Sequence, residues 1–120
     1  MTEHAKTFEV SVITFREDST WTALVLEMNL RGYGPTKKAA VDDVLAMLAA
    51  QVSFAVQMGH PETVWNSAEK SYWMMFEEAR RKRFVAEVSG FETPSEQPSA
   101  DIVPFPLDTA PKNEWVAAGA

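Results

Sequence analysis

The chain of 120 residues contains no cysteine. This absence excludes disulfides, thiolate catalysis and zinc sites built from cysteine. Only two histidines are present, His4 and His60, and they lie far apart in the sequence. Because a metal site requires several ligating side chains close together, we predict neither a metal nor another cofactor.

Basic charge and long apolar runs are also scarce. Asp and Glu outnumber Lys and Arg by 17 to 11, which gives a formal net charge of -6. Since nucleic-acid binding requires a basic face, that function is not favoured, although a local basic patch would permit it. The start of the chain has no apolar segment typical of a signal peptide, and no apolar run approaches the roughly 20 residues of a membrane span. We therefore expect a cytoplasmic protein with no membrane contact.

Catalytic motifs are missing as well. The adjacent pairs Asp42-Asp43 and Glu77-Glu78 fall on predicted helices, where neighbouring side chains do not face each other. No nucleophile motif such as GxSxG is present. We expect a protein that is not an enzyme. The alternative is a metal-dependent activity on a degenerate nuclease-type scaffold, which a carboxylate substitution such as Asp42→Asn would abolish.

What the chain does contain is a strand–turn–helix unit from Thr20 to Met58. Residues 7–15 and 20–28 alternate in polarity and predict two strands joined by a hairpin at residues 16–19. The second strand is apolar on both faces, which is typical of a strand covered on both sides. Residues 31–33 are a candidate third strand.

A long helix is predicted from Thr36, a suitable N-cap, to Gly59, a suitable stop. Its main apolar stripe has helical spacing and should pack on the sheet: Val41, Val44, Leu45, Leu48, Val52 and Ala55. A second stripe, Met47, Phe54 and Met58, needs cover from the second helix or from another subunit. It is our candidate oligomer interface.

A second helix is predicted over residues 68–84, capped by Ser67 and ending in Arg80-Arg81-Lys82-Arg83. Cations at that end are favoured by the helix dipole. Its apolar face comprises Ala68, Tyr72, Met75, Phe76 and Ala79. Aromatic and basic side chains together form a candidate partner-binding set: Trp65, Trp73, Arg80, Arg81 and Arg83. The alternatives are a solvated helix end for the arginines and core packing for the tryptophans.

The character of the chain changes after the second helix. Residues 85–88 are a candidate short strand, and five of the seven prolines lie between Pro94 and Pro111. Proline excludes an ordinary helix or a central strand. We therefore predict an α+β fold with a flexible N-terminus (1–6), a single domain (7–90) and an extended proline-rich tail (91–120). The domain should hold a small antiparallel sheet of two to four strands packed against the long amphipathic helix, together with the second helix.

The strand–turn–helix unit carries several short motifs: Glu17-Asp18, Trp21-Thr22-Ala23, Leu26-Glu27-Met28 and Gly32-Tyr33-Gly34-Pro35-Thr36, followed by an Ala-rich amphipathic helix. In these motifs the chain resembles the HicB-like antitoxin family over about residues 7–58. The resemblance implies a partial RNase H-like fold without the nuclease's acidic metal site. It also implies self-association and direct binding of a small RNA-cleaving toxin.

The chain departs from this family in three places. Pro35 stands where an acidic residue is common, and Lys37 and Lys38 replace a Glu-rich first turn. The C-terminal region lacks the module with which many HicB proteins bind operator DNA. The resemblance therefore predicts a non-catalytic protein-interaction module. The alternatives are a nucleic-acid-associated protein that uses Arg80–Arg83, and a HicB-like domain that has another role and no toxin.

Overall fold

Four antiparallel strands form one sheet in the order β3-β2-β1-β4. The computed structural model describes residues 7–92 and 94–106. The elements, in chain order, are β1 (Thr7–Glu17), β2 (Thr20–Val25), β3 (Leu30–Gly34), α1 (Lys37–Gln57), a 3-10 turn (Pro61–Val64), α2 (Lys70–Ser89) and β4 (Ser99–Pro106). The predicted α+β fold is confirmed. The predictions for residues 1–6 and for the tail beyond residue 106 lie outside the described residues.

The sheet is sandwiched between the two helices. Val10, Val12, Ala23 and Val25 face α1 and form one core cluster with its buried stripe. The alternate strand residues Ile13, Phe15, Leu24 and Leu26 form the second cluster with α2. Successive strand residues point to opposite faces of the sheet. Strand β2 is apolar on both faces because α1 covers one of them and α2 covers the other.

The edge strand β4 comes from the segment that the sequence assigns to the tail. It pairs antiparallel with β1, so that Val10 lies opposite Val103 and Phe8 opposite Phe105. Phe8 and Phe105 also make an edge-to-face contact, with ring centroids 5.5 Å apart. Pro104 and Pro106 are tolerated because this strand lies at the sheet edge.

Helix α1 begins and ends as predicted. The Thr36 hydroxyl accepts a hydrogen bond from the Ala39 N–H at 3.0 Å, and Gly59 follows the helix with φ 78°. The α1 stripe is buried at Ala40, Val44, Leu48, Val52 and Ala55, with Val41 and Leu45 partly buried beside it. This stripe therefore packs on the sheet, as its spacing predicts.

The close approach of α1 to β3 explains the glycine turn. A Cβ placed on Gly32 would lie 2.7 Å from the Ala40 carbonyl oxygen, and one on Gly34 would lie 2.6 Å from the Ala39 Cβ. Both glycines are therefore required because the helix passes directly over them.

Several predicted boundaries are wrong. The predicted strand at residues 85–88 is helical, because α2 continues to Ser89 and ends at Gly90 with φ 81°. The cluster Arg80–Arg83 consequently lies within the helix and not at its end. Ser67 is not the N-cap, since Glu69 holds that position without a side-chain hydrogen bond.

Strand β2 is also shorter than predicted. It ends at Val25, and the following turn contains Asn29 with φ 54°. Met28 therefore packs in the α1 cluster and not beside Leu26, which packs in the α2 cluster. Strand alternation does not continue through the turn after Val25, and this is why the predicted faces of Leu26 and Met28 differ from the observed ones.

Within the described residues, α1 is the one helix long and apolar enough to cross a membrane, and 28% of its apolar window is buried inside the domain. Its buried stripe packs on the sheet. Helix α1 thus combines a buried stripe with an apolar outer side, and the sequence pattern alone did not indicate an apolar segment of this length.

Candidate interaction surfaces

The second apolar stripe of α1 lies on its outer side. Met47 is half-buried, whereas Phe54 is 65% exposed and Met58 is 58% exposed. Helix α2 lies on the opposite face of the sheet, so it does not cover this stripe. No side chain from Val44 to Met58 is charged. We refer to Met47, Phe54 and Met58 as the α1 flank.

Trp65 lies next to the end of α1. It follows the 3-10 turn Pro61–Val64, which packs against α1 and places Val64 against the core. The Trp65 side chain is 65% exposed. Its backbone N–H donates to the Glu62 carbonyl at 3.3 Å, which holds the residue at the end of the turn. Trp65 therefore adds aromatic surface at the same end of α1 as Phe54 and Met58.

Trp73 has a different environment from Trp65. It is half-buried and packs against the α2 core cluster, with an edge contact to Phe76 at a centroid distance of 6.5 Å. Its indole N–H donates to the Ser67 hydroxyl at 2.8 Å. Ser67 thus orients the indole, and Trp73 contributes mainly to packing.

The basic cluster on α2 is matched by acidic neighbours. Arg80 lies 3.7 Å from Glu77, and one nitrogen of Arg81 donates to both oxygens of Glu78 at 2.7 Å. Lys82 lies 3.8 Å from Glu78. The hydrogen bond from Arg81 lowers the pKa of the Glu78 carboxyl, and the same bond raises the pKa of Arg81.

Arg83 links the helix to the sheet. Its guanidinium donates to the Ala100 carbonyl at 2.8 Å and to Asp101 at 3.1 Å. Arg83 also lies 3.6 Å from Glu87. It therefore attaches α2 to β4, and its charge is already engaged within the domain.

The five predicted partner-binding residues do not form one patch. Trp73, Arg80 and Arg81 line a shallow depression along α2. Trp65 lies beside α1, and Arg83 lines cavities between α2 and β4. The α1 flank, in contrast, is a continuous uncharged side of one helix.

The acidic pairs of the helices have local roles. Asp42 forms an ion pair with Lys38 at 2.7 Å, and Asp43 accepts the backbone N–H of Tyr33 at 2.9 Å. Asp43 thereby ties β3 to α1. Among residues 7–92 and 94–106, no group of three or more His, Cys, Asp or Glu side chains could hold a metal ion.

Helix α2 has an exposed apolar face that is not predicted from the sequence. The exposed side chains are Met74, Phe84, Val85 and Val88, followed by Phe91 after the helix. A helix that ends at residue 84 leaves out Val85 and Val88, so the predicted helix does not show the whole of this face. Gly90 was the available signal, because a glycine that adopts a left-handed backbone commonly follows the last helical turn.

Comparison of the chain with protein-family models, with curated proteins and with solved structures finds no match. Function must therefore be inferred from the exposed surfaces of this fold and from the sequence resemblance.

Proposed function

We propose that this chain is a non-catalytic protein-interaction module of the HicB antitoxin type, which neutralises a small RNA-cleaving toxin by direct binding. The observation that carries the proposal is the exposed α1 flank, with the exposed Trp65 following the turn that packs against this helix. Large exposed apolar patches on a folded domain are typical of protein-binding sites. Aromatic side chains and methionine are enriched in such interfaces.

The charge of the chain supports a basic partner. An RNA-cleaving toxin needs a basic surface to hold the phosphate backbone, and this chain carries a formal charge of -6. Asp42 and Asp43 are exposed near the start of α1. Opposite net charges would accelerate encounter, and the uncharged α1 flank would then bury apolar surface.

The environment of the arginines does not favour the nucleic-acid alternative. Each cation of the cluster lies within 3.8 Å of a carboxylate. An RNA phosphate would compete with these carboxylates, so we expect no salt-sensitive RNA binding. If binding does occur at low salt and weakens when Arg81 and Arg83 are replaced by Glu, the nucleic-acid function would replace our proposal.

The deciding experiment uses the gene next to the one that encodes this chain. Its product is expressed in a bacterial host together with the wild-type chain, Phe54→Asp or Val56→Asp. Val56 lies on the other side of the same helix from Phe54 and serves as the matched control. We expect the wild type and Val56→Asp to relieve growth arrest and to co-purify with the toxin, and Phe54→Asp to fail.

Two results would contradict the proposal. One is a neighbouring product that does not arrest growth and does not bind the purified chain. The other is equal neutralisation by Phe54→Asp and the wild type, which would exclude the α1 flank as the binding surface. Circular dichroism of each variant confirms that the α+β fold is retained.

A further inference from the structure

The outer face of α2 carries a heptad pattern. Six side chains follow one another at alternating spacings of four and three residues, and all are exposed: Lys70, Met74, Glu77, Arg81, Phe84 and Val88. We refer to these six residues as the α2 seam. Such spacing places side chains along the line on which one helix packs against another. The exposed fractions of 61% for Met74, 65% for Phe84 and 71% for Val88 show that apolar surface on this line is uncovered.

We infer that a second copy of this chain packs on the α2 seam, with the two α2 helices antiparallel. When two such helices are centred level with residue 79, Met74 lies opposite the partner's Phe84. Glu77 then lies opposite the partner's Arg81, and the same two contacts recur through the two-fold symmetry. The two contacts nearest the axis thus pair an apolar residue with an apolar residue and an acid with a base. At the ends of the seam Lys70 lies opposite the partner's Val88, where the aliphatic part of the lysine side chain can pack.

The order of charges selects this arrangement over others. In a parallel pair, Glu77 would face its own copy and Arg81 its own copy, and such like-charge contacts are unfavourable. Sliding the antiparallel pair to the next heptad register would place Glu77 opposite the partner's Val88, which leaves the acid unpaired. Of these registers, the one centred at residue 79 pairs Glu77 with Arg81 and Met74 with Phe84, and it leaves a charged residue opposite an apolar one only at the ends of the seam.

Geometry and neighbouring charges are compatible with this register. The centre of α2, which spans Lys70–Ser89, lies close to residue 79, so the two helices overlap over about 30 Å. Glu78 and Arg80 flank the seam, and each approaches its own copy near the two-fold axis. Arg81 would lie between Glu78 of its own helix and the partner's Glu77, and Glu77 would lie between Arg80 of its own helix and the partner's Arg81, so each flanking residue keeps an opposite charge beside it.

Charge-reversal variants test whether a second copy of the chain packs on the α2 seam. The mass of the full chain is measured by sedimentation equilibrium for the wild type, Glu77→Arg, Arg81→Glu and the double variant that carries both changes. We expect the wild type to dimerise and each single variant to raise the dimer dissociation constant about tenfold or more. The double variant should dimerise more tightly than either single variant, because its reversed charges are again complementary across the interface. It should not fully regain the wild-type affinity, since Glu78 and Arg80 lose their partners on the same helix.

Cysteine cross-linking tests whether the two α2 helices run antiparallel or parallel. The native chain has no cysteine that would interfere. Met74→Cys and Phe84→Cys proteins are prepared separately, mixed and oxidised. An antiparallel pair predicts a disulfide between position 74 of one copy and position 84 of the other. A parallel pair predicts 74–74 and 84–84 disulfides instead.

Three sedimentation results would overturn the inference: a wild-type chain that remains monomeric at roughly 100 µM, single variants that dimerise like the wild type, or a double variant that dimerises no better than the single variants. In the cross-linking experiment, the 74–74 and 84–84 disulfides of a parallel pair would overturn it. It is independent of toxin binding. Phe54→Asp lies on the opposite layer and should dimerise like the wild type, so that loss of toxin binding and loss of the dimer are separately visible.

Discussion

The Glu27 carboxylate accepts a hydrogen bond from the backbone N–H of Ser11 at 2.8 Å. Strand β2 has already ended at Val25, and the Leu26 N–H donates to the Ser11 carbonyl at 2.9 Å. The Glu27 side chain therefore replaces the backbone acceptor that a longer β2 would have provided. A buried N–H group that loses its acceptor is costly.

Glu27→Ala should therefore destabilise the domain. We expect a loss of about 1–3 kcal/mol in the free energy of unfolding, because the Ser11 N–H loses its partner. Glu27→Gln keeps an oxygen acceptor and should retain most of the stability. Urea unfolding followed by circular dichroism measures both variants. Equal stabilities of Glu27→Ala and Glu27→Gln would show that this hydrogen bond is not important.

Gly32→Ala tests the contact between β3 and α1. The added methyl group would overlap the backbone of α1 at Ala40 and Val44, and such overpacking costs about 1–3 kcal/mol. Gly59→Asn is the control, since no atom lies within 4 Å of a Cβ at Gly59 and Asn tolerates its left-handed backbone. Thermal denaturation should show a lower Tm for Gly32→Ala alone. The same Tm for both variants would contradict the close approach.

Arg83→Ala tests the attachment of β4. Loss of the bonds to Ala100 and Asp101 should cost about 1 kcal/mol, since the arginine is half-exposed. Hydrogen exchange at the β4 amides should accelerate. Arg80→Ala removes an exposed ion pair instead and should change stability by less than about 0.5 kcal/mol. Unchanged β4 exchange in Arg83→Ala would rule out the proposed link.

Phe76→Ala tests the α2 layer of the core. Phe76 is 3% exposed, and truncation of a buried phenylalanine costs about 3–5 kcal/mol. Phe84→Ala removes the same side chain from the exposed face of the same helix. Measured at concentrations where the chain is monomeric, Phe84→Ala should unfold like the wild type. A small effect of Phe76→Ala would mean that α2 is not part of the core.

The pKa of Glu78 should respond to Arg81. The bonded guanidinium lowers the pKa of the Glu78 carboxyl below its ordinary value of 4.5. The stability contributed by the Glu78–Arg81 pair is thus fully present above pH 4.5. It is lost as the pH falls through the lower pKa that Glu78 has in the folded protein. Arg81→Gln should raise the Glu78 pKa towards 4.5 in a carboxyl NMR titration. An unshifted titration would disprove the pairing in solution.

Much of this fold was predictable from residue spacing. The alternation around Val10 and Ile13 assigned their side chains to the correct faces, and Thr36 and Gly59 marked the limits of α1 correctly. These features depend on residues close together in the chain, so local periodicity and capping suffice to find them.

The interaction surfaces were less predictable. The spacing of Phe54 and Met58 identifies a second stripe on α1. It does not show that this stripe is exposed, because its exposure depends on which face of the sheet α2 packs against. Arg83 is a candidate partner-binding residue by sequence, and in the structure it contacts Ala100 within the domain. A basic cluster in a sequence does not reveal which carboxylates and carbonyls the fold brings to it.

The sequence by itself determined an α+β domain with a doubly apolar central strand, a long capped helix and two apolar stripes on that helix. Tertiary structure alone decided that β4 pairs with β1, that α2 lies across the sheet from α1, and that the α1 flank and the α2 seam remain exposed. The physical reason is the range of the interactions. Strand alternation and helix caps arise from neighbours in the chain, whereas pairing, layering and exposure depend on contacts between segments far apart in sequence.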